Sequence, residues 1–274
     1  MRRLFPALLA VAAALAAAFL LLPLVALFAR VSPGTLVVRA GQGAFRDALV
    51  VSLKTSLIAH AIVLGVGTPA AYLLATRRFR GRSLLVGVLE LPLVLPPAVA
   101  GISLLAAFGA NGLLGGTLDA LGLRIPFTQA AVVLAVVFVA SPFYLRAAIA
   151  AFEAVDPRLL EASRTLGAGP GRTFARVALP LAAGGLAAGS SLAWARGLGE
   201  FGATLMFAGS LRGVTQTLPL AIYAELNVDY PVALAIGALL VLVSVAVLLV
   251  IRLVPSWTRF ASIWPTASAA SSSR

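Results

Sequence analysis

DPRLLEASRTLGAGPGRTFARVALP, residues 156–180, sets Asp156, Glu161 and the arginines at 158, 164, 172 and 176 between two apolar runs, 129–149 and 181–207. A bilayer core is ~30 Å thick, so a crossing helix needs about 20 apolar residues at 1.5 Å each. Both flanking runs reach that length, and the polar island between them reads as a connection at a membrane surface. Four more runs qualify on either side of it: 4–28, 56–75, 84–108 and 232–251. Lipid offers the backbone no hydrogen-bond partners. Continuous runs rich in Ala and Leu meet that demand as helices, whereas barrel strands alternate over ~10 residues. The expected fold is all-α, a polytopic membrane bundle of six transmembrane helices with one short surface helix in the island.

The chain has 274 residues, 61% hydrophobic and 11% charged, with a mean hydropathy of +1.04. Soluble domains carry roughly 25% charged residues. A net charge of +12 would suggest nucleic acid in a soluble protein. Here the cations flank apolar runs, the pattern that orients membrane proteins, and no nucleic-acid partner is expected. With the N-terminus inside, the cytoplasm receives Arg2, Arg3, Arg77, Arg78, Arg80, Arg82, Arg146, Arg158, Arg164, Arg172, Arg176, Arg252, Arg259 and Arg274. Arg30, Arg39, Arg46, Lys54, Arg124 and Arg212 fall outside, and Arg196 lies within a run. Both termini and the 156–180 island are therefore expected in the cytoplasm. The first run exceeds the ~7–15 residues of a signal-peptide core and is expected to be retained. Residues 1–255 read as a single transmembrane domain, with its core at about 52–252, and the Ser/Ala/Thr-rich 256–274 as a disordered tail.

Composition also excludes chemistry. There is no cysteine, His60 is the only histidine and Lys54 the only lysine, so neither a Cys site nor a multi-His metal site can form. No Gly-x-x-x-x-Gly-Lys-Ser/Thr stretch is present, which removes P-loop binding of ATP. No catalytic residue and no metal ligand is assigned. An intramembrane enzyme would need a base beside Ser190 or Ser191, and none is apparent. An ion-coupled secondary transporter would need titratable groups in the spans; only His60, Glu90, Arg196 and Glu200 are available, and the island would go unexplained.

Within the island, Asp156 is a good N-cap and Pro157 suits the first helical position, where its missing N–H costs nothing. Gly167 supplies the left-handed residue that ends many helices. The result is a helix of about ten residues, ~15 Å long. Leu159, Leu160, Ala162, Ser163 and Leu166 form its apolar or small face, with Glu161 and Arg164 as polar handles. So short a helix is marginal in water alone and needs tertiary packing or a partner.

Two other stretches carry information. LPLVLPPAVAGISLL, residues 91–105, holds Pro92, Pro96 and Pro97, which remove backbone donors and kink or break a helix. In a membrane this is tolerated where the freed carbonyls are covered by protein or line a cavity. A structural kink and a kink lining a pathway are both open. In ARGLGEFGATLMFAGS, residues 195–210, Arg196 and Glu200 lie four apart on one expected helix face, as a neutralising pair or as part of a pathway or gate. Gly197, Gly199 and Gly202 let backbones approach around Glu200. Gly185 and Gly189 make a Gly-x-x-x-Gly pair for packing within the chain or between copies. Glu90 is expected to pair with an arginine of the 77–82 cluster. No convergent set of cations lines the spans.

Glu161, Ala162, Ser163, Gly167, Val177, Leu179 and Pro180 together resemble the Glu-Ala-Ala loop of bacterial ABC-type import permeases, with Ser163 and Val177 as conservative departures. Residues 91–105, 195–210 and TQTLPLAIY at 215–223 resemble permeases of molybdate and tungstate importers; related sulfate permeases typically have tyrosine where Phe201 stands. The resemblance covers roughly 56–251. It implies a coupling helix seated in a separate ATPase subunit through Asp156, Pro157, Leu160, Glu161, Ala162, Ser163, Leu166 and Gly167. It leaves Pro96, Pro97, Arg196, Glu200, Phe201 and Gly202 as pathway or gate candidates. It implies import of an oxyanion, molybdate first and tungstate or sulfate next, across a bacterial inner membrane. The implied partners are an ATPase dimer that binds ATP and Mg, a periplasmic or lipid-anchored oxyanion-binding protein and a second permease copy. No cofactor is assigned to this chain itself.

Overall fold

A computed structural model describes residues 4–41 and 43–253, and every regular element among them is helical. In chain order these are α1 (Leu4–Arg30), α2 (Pro33–Ala40), α3 (Gly43–Thr76), α4 (Arg82–Glu90), α5 (Pro97–Phe108), α6 (Gly115–Ala120), α7 (Gln129–Glu153) and α8 (Pro157–Thr165). They continue as α9 (Pro170–Thr173), α10 (Leu179–Leu198), α11 (Gly202–Ala208), α12 (Leu218–Leu226) and α13 (Tyr230–Leu253). Leu91–Leu93 is a 3₁₀ turn and Phe174–Ala178 a π turn. The expected tail at 256–274, and Arg2, Arg3, Arg259 and Arg274, lie outside the described residues.

Helix α7 is the centre of the bundle. The most apolar window of its span is 61% buried, against 0% for α1, which lies at the periphery against α13. α3 and α10 pack on α7 from either side, and small residues set how closely. A Cβ on Gly189 would stand 2.7 Å from Ala147 Cβ, and one on Gly185 would collide with Ala151. The Gly-x-x-x-Gly pair therefore packs within the chain. Tyr144 of α7, fully buried, shares a 2.6 Å hydrogen bond with Thr68 of α3.

Three expected spans differ from the observed ones. The second is longer: α3 has 34 residues, ~51 Å at 1.5 Å each, so its first turns continue beyond a bilayer core. There Phe45 and Ala48 pack with Leu218, Ala221 and Ile236. Ser52 Oγ accepts the Leu218 N–H at 2.8 Å, satisfying a free donor at the start of α12.

The expected third span, 84–108, is not one helix. Arg82–Leu93 and Pro97–Phe108 meet at 112°. Pro92, Pro96 and Pro97 each lack the N–H that would carry the ladder through, and Pro96 is extended (φ −55°, ψ 136°). The expected fifth span, 181–207, also breaks. Apolar helix runs from Pro170 to Leu198, then Gly199 ends it and α11 restarts at Gly202. The described residues thus contain five long apolar helices, and a sixth span if the bent pair is counted as one.

The expected partner of Glu90 is also corrected. Glu90 faces Arg146 of α7 at 3.9 Å, while Arg82 pairs with Glu153 and donates to the Leu74 carbonyl at 2.5 Å. Eight residues of rise separate Arg82 from Glu90 by ~12 Å, and α7 passes alongside with a partner for each.

Candidate functional site

Two places carry the residues singled out in the sequence. The first is α8. Asp156 caps it, its side-chain oxygen accepting the Arg158 N–H at 2.9 Å, and Pro157 is the first helical residue. Gly167 has φ +82°. The Gly167 N–H reaches the Arg164 carbonyl at 2.9 Å, and the Ala168 N–H reaches that of Ser163 at 3.0 Å, the paired closure of a Schellman turn. Both ends of α8 are thus fixed locally by the residue types that predicted them.

The side chains of α8 divide differently from expectation. Leu160 is buried in the cluster that holds Phe152, Val155 and Ala178, and Ser163 hydrogen-bonds Thr173 of α9 at 3.0 Å. Leu159, Ala162 and Leu166 point away, with Leu166 88% exposed. What the sequence offers as one apolar face is two: an anchor and an open stripe. Glu161 and Arg164 are exposed.

Behind the anchor lies a set of contacts that the sequence did not suggest. Phe174, first residue of the π turn, packs on Tyr72 of α3 (centroids 4.8 Å apart) and Phe152 of α7 (6.2 Å), and Tyr72 meets Phe152 edge-on at 5.3 Å. Aromatic pairs of this geometry contribute about 0.5–1.5 kcal/mol each beyond their buried area. The trio ties the base of α10 to α3 and α7.

The second place is where the two broken helices meet. α5 and α11, the halves beyond each break, pack on each other. A Cβ on Gly202 would lie 2.7 Å from Pro97 Cβ, and one on Gly101 2.6 Å from the Ala203 carbonyl. Pro97, Gly202 and Glu200 are brought together, and Pro96 is the hinge residue of the other break. Arg196 and Glu200 do pair, Nη1 to Oε2 at 2.7 Å. They are not on one helix, since α10 ends between them. Glu200, 2% exposed, sits in the break and its Oε1 accepts the Ala203 N–H at 2.7 Å. One carboxylate therefore neutralises the last arginine of α10 and caps the first turn of α11. Phe201 packs on Tyr223 of α12, centroids 5.0 Å apart.

A third polar contact corrects the reading of Ser190. His60 Nε2 lies 2.8 Å from Ser190 Oγ, bridging α3 and α10, and the imidazole stands edge-on to Trp194 at 4.8 Å. Ser190 thus has a histidine beside it. Trp194 Nε1 is buried with no hydrogen-bond partner among the described residues, next to a cavity of about 10 Å³ lined in part by Ser56, His60 and Gly197. That is room for about one water. No carboxylate contacts the histidine among the described residues, and the pair acts as an interhelical hydrogen bond. The signal available in the sequence was a lone polar ring within a span; its partner is 130 residues away.

A helical membrane bundle in which two broken helices meet, with a capped helix left partly uncovered at one end, is built for transport. Residues 67–259 match the binding-protein-dependent transport system inner membrane components, and the chain belongs to that family. Its members are permease subunits of ABC transporters rather than enzymes. The chain is 44% identical to the molybdenum transport system permease protein ModB of Mycobacterium tuberculosis (strain ATCC 25618 / H37Rv), over 84% of this chain and 88% of that one. It is 40% identical to ModB of Escherichia coli (strain K12), over 77% and 92% respectively. The sulfate transport system permease protein CysW of Synechocystis sp. is 37% identical, over 76% and 75%. A bacterial alginate ABC transporter, solved with an alginate-bound periplasmic protein, shares the fold at a TM-score of 0.71 and 18% identity, over 90% of this chain and 92% of that one. The MetNI methionine ABC transporter does so at 0.58 and 20%, over 80% and 95%.

Proposed function

We propose that this chain is the membrane permease of an ATP-driven oxyanion importer, with molybdate as its substrate. The observation that carries the transport reading is α8, held to the bundle by Leu160 and Ser163 while Leu159, Ala162 and Leu166 stay open. An apolar stripe on a short helix at the end of a bundle suits the cleft of a soluble partner. That partner is an ATPase dimer, which binds ATP and Mg; its closure moves two copies of α8 and, through Phe174, Tyr72 and Phe152, the helices behind them. This is a rigid-body switch with different contacts in each state.

The excess of cations on the α8 side supports a cytoplasmic α8 and cytoplasmic termini in a bacterial inner membrane. Residues 1–255 form the permease domain, and two copies pair to enclose the path. The junction of Pro96, Pro97, Glu200, Phe201 and Gly202, with Arg196, is the gate region. An oxyanion-binding protein, periplasmic or lipid-anchored, delivers the anion. Molybdate is favoured over sulfate because the molybdenum permeases are the more similar relatives and Phe201 stands where tyrosine is typical of sulfate permeases. Uptake of labelled molybdate by cells expressing the complete importer tests this. Tungstate should compete within about tenfold of molybdate and sulfate much more weakly. Preferred uptake of sulfate would reverse the substrate assignment, and uptake driven by an ion gradient without the ATPase would overturn the transporter class.

A further inference from the structure

The turn between α3 and α4, Arg77–Gly81, has a composition that helix packing does not explain. α3 ends at Thr76, Arg77 N–H bonds the Leu73 carbonyl at 3.0 Å, and Gly81 in the left-handed region (φ +88°) redirects the chain into α4. Arg82 turns inward, onto Leu74 and Glu153. Arg77, Arg78 and Arg80 do the opposite: their side chains are exposed and meet no acidic group among the described residues. The sequence holds no Asp or Glu between Asp47 and Glu90. Glu90 faces Arg146, and Glu153 is taken by Arg82.

Three free guanidinium groups thus stand at the end of a membrane-spanning helix. Phe79, 45% exposed, sits among them. α4 continues the theme: none of its residues is buried, and Leu84 is open to the surroundings. Cations next to outward-facing apolar side chains, at the level where a span leaves the bilayer, match a boundary between headgroups and acyl chains. Arginine suits phosphate because its planar fork donates two parallel hydrogen bonds to one phosphate group. A soluble anion would use the arginines but leave Phe79 and Leu84 with no role.

We propose that this turn is a binding surface for the phosphate headgroups of anionic phospholipids in the chain's own membrane. Arg77, Arg78 and Arg80 take the phosphates, and Phe79 and Leu84 insert beside the acyl chains. A cation near an anionic leaflet strengthens binding by about fivefold, so removal of all three should weaken retention at least tenfold.

The test is lipid retention by the purified full-length chain, extracted from nanodiscs of mixed phosphatidylglycerol and phosphatidylcholine and weighed by native mass spectrometry. Wild-type protein should keep phosphatidylglycerol over phosphatidylcholine, and should lose that preference as salt rises. The R77Q/R78Q/R80Q variant should lose it at low salt, R77K/R78K/R80K should keep part of it, and F79A should weaken it. Three results would overturn the proposal. One is no preference in the wild type, an arm that needs no variant to fold. The second is displacement of the lipid by millimolar inorganic phosphate with F79A unaffected, the mark of a soluble-anion site. The third is loss of the bound lipid when the chain is assembled with its ATPase subunits, which would assign the arginines to a protein contact.

Discussion

Ser163 Oγ lies 3.0 Å from Thr173 Oγ1, and this hydroxyl pair is the polar tie between α8 and the chain that leads into α10. Thr173 is fully buried and Ser163 partly so. Among the described residues Leu160 is the one buried side chain of α8, so the position of α8 relative to the bundle depends on this contact.

Replacing Thr173 by valine keeps the shape and removes the hydrogen bond. A hydrogen bond of this kind contributes about 1 kcal/mol net. T173V should lower the midpoint of thermal unfolding slightly and reduce uptake by the assembled importer more than it reduces assembly. Measuring uptake and co-purification of the ATPase on one preparation separates the two. Equal loss of both would mean that the tie serves folding alone.

Gly167 offers a sharper distinction. A Cβ there meets nothing within 4 Å, so space is not what requires glycine. Its φ of +82° is, since the left-handed region costs an L-residue about 1–2 kcal/mol. Asparagine tolerates that region and valine does not. G167N should retain most uptake, while G167V should lose it together with ATPase co-purification. Equal activity in the two variants would show that the left-handed turn does not matter to docking.

Asp156, Pro157 and Gly167 were readable as helix boundaries because capping is local: donor, acceptor and turn residue lie within five positions of one another. The division of α8 into an anchor and an open stripe was not, because Leu160 and Leu159 are the same residue type and only the position of Phe152 and Ala178 tells them apart. The prolines at 92, 96 and 97 signalled a break, yet a hydropathy window over 84–108 stays continuous across a 112° bend. The ion pair of Arg196 and Glu200 was legible from spacing, but its reason was misread. Gly199 ends the helix, and the pair survives because Glu200 folds back toward α10 while capping α11. His60 with Ser190, and Phe174 with Tyr72 and Phe152, join residues more than a hundred positions apart or on different helices, where local pattern carries no signal.

The meeting of the two breaks should be intolerant of volume. A Cβ on Gly101 would stand 2.6 Å from the Ala203 carbonyl and from Met206 Cβ. Backbone cannot move aside as a side-chain tip can, so α5 and α11 would have to separate. Overpacking of this kind costs about 1–3 kcal/mol, and G101V should fall in the upper part of that range, with a reduced yield of monodisperse protein. G87A is a matched control in α4, where a Cβ meets nothing within 4 Å. It should behave as wild type in the same fluorescence-detected chromatography.

Glu200 does two jobs, and two substitutions separate them. E200Q keeps an oxygen for the Ala203 N–H but loses the charge opposite Arg196; E200A loses both. Both substitutions break the pair with Arg196, which is itself partly exposed; E200A also loses the cap on the Ala203 N–H, about 0.5–2 kcal/mol, so it should unfold at a lower temperature than E200Q. R196M/E200Q removes the orphaned cation and should regain part of what E200Q loses. Transport kinetics then distinguish a strut from a gate. A freed Arg196 on the path of a divalent oxyanion would hold it, so E200Q would show a lower KM for uptake together with a lower kcat, and R196M/E200Q would restore KM. If the pair only braces the break, the variants lose folded protein while KM stays at the wild-type value.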